Sequence, residues 1–475
     1  MLIRAAEIYG HGLADLRIAQ TRIAAIGQLA PLPGETVFDA RGGALLPGLH
    51  DHHIHLAALA VRAASVNCAP PAVRSHDDLA RALSRPGQGW LRGFGLCESV
   101  LDGDLPNLAT LDRMVPHRPI RLQHRTGRMW LFNSAALDEL LAKNTPPAGL
   151  ERVGGRLTGR LFDEDAWLQA ALGSTPPDFS AVSKDLARHG VTGVTDMSPR
   201  NDAAIAQHFA AQSEHGRLRQ NAILAGQLSL ADAAQHGWQL GPAKLHLHEA
   251  ALPDFDATCE WIAKAHAQGR GVAVHCVTEV ELVFTLALFE TAGPRTGDRI
   301  EHASIVPQEL ATRIAALGLW ACVQPHFVHE SGDRYLRDVD RHHHRDLYRL
   351  RTLQDAGVPL AGGSDAPYGS TDPWQAMSAA VLRRTATGMA FNSKEALSPE
   401  QALDLFLADP LDLSRPRRIA VGESADLCLL DRPWATARTR LNSADVHATI
   451  CSGQLIHQRV NEPPIERLPR VETTA

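Results

Sequence analysis

The stretch LLPGLHDHHIHL, residues 45 to 56, sets four histidines and an aspartate behind an apolar run that reads as a buried strand. His53 and His55 stand two apart, so on an extended segment both imidazoles leave the same face and can grip one ion. His50 and His52 share the opposite parity, which assigns them to packing or to support of the first pair. Three more metal-capable groups fall at the ends of separate predicted strands: His275 in GVAVHCV, His302 in RIEHAS and Asp365 in PLAGGSDAP. Imidazole and carboxylate donors suit zinc, and manganese, iron and cobalt accept the same set. His326, in CVQPHF, falls at another such end, either to polarise a substrate oxygen or as a hydrogen-bonded loop residue.

Groups so far apart along the chain meet only if the elements carrying them lie side by side. ALLPGLHDHHIH (44–55), GVTGVTDMS (190–198), RQNAILAG (219–226), AKLHLHEA (243–250), GVAVHCV (271–277), RIEHAS (299–304), LWACVQPH (319–326) and PLAGGSDAP (359–367) read as eight strands. Helical patterns such as DATCEWIAKAHAQG and PQELATRIAALG separate several of them, each ending in a glycine suited to a helix terminus. Such βα repeats predict an α/β fold, a TIM-like (β/α)8 barrel over 47–417 with chemistry at the carboxyl ends of its strands. The interval from about 60 to 188 is too long for one crossover and is expected to be an inserted cap. Residues 1–46 and the tail 418–475 both read as short strands, expected to build one small β-sandwich together.

The 475 residues, 44% apolar and 21% charged, are ordinary for a soluble enzyme. A net charge of -6 argues against nucleic acid as a partner, and basic clusters such as RPRR (415–418) read as a solvated face. Seven scattered cysteines without CxxC favour reduced thiols, hence a cytoplasmic protein. Neither a secretory leader nor a membrane span is expected. HHH at 342–344 reads as a surface turn or helix, and Trp90, Trp130 and Trp374 as packing residues. A homodimer is compatible with this architecture.

PGLHDHHIHL, VAVHCV, RIEHAS and GGSDAP, in this order and between terminal β segments, resemble the amidohydrolase superfamily. HRTGRMWLFNSAAL, GVTGVTDMS and GESADLCLLDRPW further resemble its amidohydrolase-3 branch, which includes N-substituted formamide deformylase. The resemblance implies that His53, His55 and Asp365 hold the more buried of two ions, and His275 and His302 the other. It also implies a carboxylated lysine bridging the ions from the fourth strand, where Lys244 stands, with His248 and Glu249 as metal-capable alternatives. One or two ions remain open at this point. The chain departs from the branch at Thr278–Glu279, where a Gly-Asp pair is usual, and at Gly127–Arg128, where a Gly-His pair is usual. Arg128 and nearby Arg125 are candidates for pairing with a substrate carboxylate.

A divalent ion lowers the pKa of bound water from roughly 16 toward about 7, making hydroxide available at neutral pH. Asp365 is placed to take the water's proton and pass it to a leaving nitrogen. The expected activity is hydrolysis of a non-peptide carbon–nitrogen bond in an amide, formamide or N-acyl compound, the partner being a small molecule. A lactonase, esterase or aminohydrolase is the nearest alternative, and a non-catalytic barrel the most distant.

Overall fold

Short runs, most of them buried on both faces as parallel strands are, form the eight strands expected of the barrel. They are β1 (Leu49–Ile54), β2 (Val191–Asp196), β3 (Asn221–Gly226), β4 (Gln239–Leu245), β5 (Val272–Cys276), β6 (Arg299–His302), β7 (Trp320–Val323) and β8 (Leu360–Gly362). Each pairs in parallel with the next in chain order. The ring is drawn together beyond β8, where Asp365 N donates to His53 O (2.7 Å) and His55 N donates to Ala366 O (2.8 Å). The computed structural model describes residues 1–98, 103–173 and 176–459, and the chain forms two compact units, Met1–Leu56 with Val182 onward and Ala57–Ala181.

Helices follow the strands as their sequence patterns require. Asp254 caps α1 (Phe255–Ala267), and Gly269 beyond its end takes the left-handed φ of 77° that an L side chain resists. The Thr278–Glu279 departure lies at the start of α2 (Glu279–Ala292). There Thr278 accepts from Glu281 N, and the Glu281 carboxylate accepts from Thr278 N at 3.1 Å, a reciprocal cap.

One boundary differs from expectation. The alternating LHLH suggests a strand over 243–250, yet β4 starts at Gln239 and ends at Leu245. Gln239 and Leu240 find partners in Ile223 and Leu224 of β3, and pairing with β5 stops at Leu245 opposite Val274. Lys244 is thus next to the carboxyl end of its strand, and His246 and His248 lie past it.

Both termini build one eight-stranded mixed sheet. Its two contributions join where Ala44–Pro47 runs antiparallel to Leu427–Leu430, and Ile3, Leu16, Leu427 and Ile450 share its apolar core. The Ala57–Ala181 unit has its own six-stranded sheet, with Leu91, Ile120 and Leu122 in one apolar cluster and Trp130, Phe132 and Leu161 in another. Trp374 is buried, its indole donating to His189 O, and the triple histidine lies in a short 3-10 helix, Arg341–Asp346. Among the described residues no helix is long and apolar enough to cross a membrane.

Candidate metal centre

The carboxyl end of β1 turns His53 and His55 to one side, as their spacing requires, and each ring is held from behind. His53 Nδ1 donates to Glu301 Oε2 (2.5 Å) and His55 Nδ1 lies 3.2 Å from Ser198 Oγ. Both Nε2 atoms consequently face Asp365, at 3.4 and 3.1 Å from its Oδ1. Donors about 2.1 Å from a tetrahedral zinc ion stand roughly 3.4 Å apart, so these spacings match the edges of a coordination shell. Asp365 and His302 hold φ values of 50° and 71°, a strained left-handed backbone of the kind that clusters at functional sites.

Glu301 and Arg299 are the supporting residues that the sequence reading missed. Two apart on β6, they share a face; the Arg299 guanidinium grips the Glu301 carboxylate and also donates to His52 O at 2.8 Å. Both are buried. Burial opposes charge on Glu301, but Arg299, Lys244 and His53 together hold it ionised, well below the usual carboxylate range. The signal was present as a base and an acid two residues apart in the short run RIEH, just ahead of His302. Asp51 is a second missed support, accepting from His53 N (3.1 Å) and Ser364 N (2.9 Å) and so tying β1 to the segment after β8.

The other expected groups gather beside this cluster. His302 lies with its ring centroid 4.8 Å from that of His53, and His275 lies 4.6 Å from His302. His302 Nδ1 sits 2.9 Å from the Gln324 carboxamide oxygen and 4.0 Å from Asp365 Oδ2. Lys244 is buried, and its ammonium has no hydrogen-bond partner among the described residues. Burial pulls its pKa down, toward the neutral amine. Burial also pushes His53 down to about 3 and His275 to about 2, with His302 lowered as well. Neutral imidazole is the form that binds a cation.

Donor atoms of His53, His55 and Asp365 all lie within 4.8 Å of one another, as do those of His53, Glu301 and Cys322. The first set fits a cation better. In the second, Arg299 already places a fixed positive charge on Glu301, and a further cation there would be repelled.

Several expected residues take other roles. His50 bonds Thr195 Oγ1 (2.9 Å), and its ring lies tilted against that of His52 at 4.6 Å, both buried. His326 donates from Nε2 to Ser364 O (3.0 Å), and burial pushes it down to about 4. Neutral, with its proton on Nε2, it offers only an acceptor at Nδ1, so it does not supply the donor needed to polarise a substrate oxygen. Arg128, in the Ala57–Ala181 unit, is exposed and spends its fork on Asp163, with two bonds of 2.7 Å. That pairing removes it as a ready carboxylate clamp. Arg125 is exposed in the same unit.

Comparison with known proteins gives the family and the fold. YtcJ of Bacillus subtilis is 26% identical, the alignment covering 88% of this chain and 90% of that protein. N-substituted formamide deformylase of Arthrobacter pascens is also 26% identical, with 90% of this chain and 91% of that protein covered. An uncharacterized metal-dependent hydrolase of Pyrococcus furiosus shares the fold, with a TM-score of 0.74 at 23% identity, over 91% of this chain and 98% of that one. Residues 36–457 match the Amidohydrolase family, and the chain belongs to that family of carbon–nitrogen hydrolases.

Proposed function

We propose that the protein is a metal-dependent hydrolase of a non-peptide carbon–nitrogen bond, in an amide, formamide or other N-acyl compound. One observation carries the reading: two imidazoles, fixed from behind by Glu301 and Ser198, present Nε2 to the same oxygen of Asp365. His53, His55 and Asp365 would hold one divalent cation, with zinc the first candidate, and His275 and His302 a second. The buried ammonium of Lys244, with no partner of its own, fits a lysine that is carboxylated and bridges the two. Such ions, when bound, lower the pKa of water and polarise a carbonyl.

The chain's own residues do the rest. Asp365, 8% exposed, is surrounded by His55, His53 and His302, and although burial opposes its charge these groups hold it ionised. An ionised carboxylate at that point accepts the proton of the attacking water and returns it to the departing nitrogen. Glu301 keeps the His53 proton on Nδ1, leaving Nε2 as a lone-pair donor. We assign Ala57–Ala181, inserted between β1 and β2, to substrate selection. The formamide activity named for the Arthrobacter relative makes formamides the first compounds to try.

Metal-reconstituted protein should release amine and acid from at least one member of a panel of formamides, N-acyl amino acids and cyclic amides. Hydrolysis confined to lactones and esters, or ammonia as the sole nitrogen product, would contradict the proposed bond.

A further inference from the structure

Arg92 and Arg121 are neighbours in register on the parallel strands Leu91–Leu96 and Ile120–His124 of the Ala57–Ala181 unit. Directly opposed like charges destabilise a sheet unless something offsets them. Indole rings do part of this. The Arg92 guanidinium carbon lies 5.4 Å from the Trp130 ring centroid, and that of Arg121 lies 5.8 Å from Trp130 and 6.0 Å from Trp90. Stacking serves the faces of a guanidinium, while its edge still presents N–H groups that want acceptors.

Those acceptors are missing on one side of the pair. Arg92 donates to Ser65 Oγ (3.0 Å) and Gln123 Oε1 (3.2 Å), both neutral. Ser65 is fixed as the acceptor because its own hydroxyl donates to Val61 O. Among the described residues Arg121 makes no side-chain hydrogen bond, and its Nε is sealed from solvent without a partner. Neither arginine forms an ion pair among the described residues. Acids around the same indoles are engaged elsewhere: Glu139 accepts from Trp90 Nε1 (2.8 Å), Asp165 from Trp130 Nε1 (2.7 Å), and Asp163 pairs with Arg128. Burial, and then Arg121, push Arg92 down to about 10, so both stay charged at neutral pH.

We infer that Arg92 and Arg121, seated on Trp90 and Trp130, form a subsite for the oxyanion group, carboxylate or phosphate, of a small ligand. A planar fork whose faces are already held by aromatic rings loses little further freedom when it clamps two oxygens. The subsite stands on contacts inside one unit and does not depend on any metal. It also moves the carboxylate recognition expected of Arg128 to a pair of arginines that has no acidic partner among the described residues.

The test is a tryptophan-fluorescence titration of the full chain with inorganic phosphate and with succinate, ionic strength being held constant with sodium chloride. A saturable change is expected with at least one of them, the tighter binder naming the source of the oxyanion. Arg121→Gln should weaken that binding about tenfold or more, since it removes the charge and the fork together. Arg121→Lys, which keeps the charge and is the variant to read should the glutamine form fail to fold, should weaken it about threefold or more. Arg128→Gln should leave it unchanged. Absence of a saturable change beyond that of chloride would overturn the inference. So would an affinity unchanged from wild type in both Arg121 variants, which would mark an adventitious ion only, or a loss seen only with Arg128→Gln.

Discussion

Two histidine pairs of identical spacing stand at the ends of two strands of the same barrel sheet, and only one is anchored to face a carboxylate. His53 and His55 follow β1, with Nδ1 atoms anchored by Glu301 and Ser198 and Nε2 atoms aimed at Asp365. His246 and His248 follow β4, are exposed, and their side chains make no hydrogen bond among the described residues. Their rings lie tilted at 4.6 Å, and His246 stacks on His275 at 4.2 Å; among the described residues neither forms an ion pair. Spacing brings two rings to one side; the anchors behind and the acid in front decide what they do.

The sharpest way to break this comparison is to remove the acid or a ring it faces. Asp365→Asn should lower turnover of any substrate found by about a thousandfold, because proton transfer and a ligand are lost together. His53→Ala should have a similar effect, with metal content falling in parallel when measured by elemental analysis. Lys244→Ala comes next. If the buried amine bridges two ions, its loss should reduce bound metal from about two to about one per chain.

Removing an anchor rather than a ligand separates holding from touching. Glu301→Gln keeps the shape but loses the charge that fixes His53, and metal affinity should fall about 10- to 100-fold in a chelator competition. Stability should fall as well, since Arg299 is left buried without its partner, and breaking a buried pair costs about 3–5 kcal/mol, readable by denaturant unfolding. A smaller change is expected at the other pair. His246→Ala and His248→Ala should leave metal affinity within about threefold, the range of a residue outside the coordination shell.

Much of this centre was legible because polar residues stand out at the ends of apolar strands. The HxH, His275, His302 and Asp365 each stand at the end of a segment that reads as a strand, and a parallel barrel brings such ends together. The anchors were harder to see. Glu301 sits one residue before His302, and its partner His53 lies 248 positions away, a distance over which sequence alone offers no pairing. β4 was misplaced because LHLH alternates like a strand, whereas backbone pairing with β3 and β5 runs from Gln239 to Leu245. The six-stranded sheet of Ala57–Ala181 escaped notice because its strands are short and carry arginines, glycines and polar residues in place of a clean alternation. Arg128 was read as open because only the fold places Asp163 against it.

The most direct test of the centre is a cobalt(II) titration of metal-stripped protein, read by visible absorption in the wild-type chain and in His53→Ala and His246→Ala. Tight, stoichiometric binding should survive in His246→Ala and disappear from the first site in His53→Ala. Binding that persists in His53→Ala and is lost in His246→Ala would place the cation at the wrong pair and contradict the account.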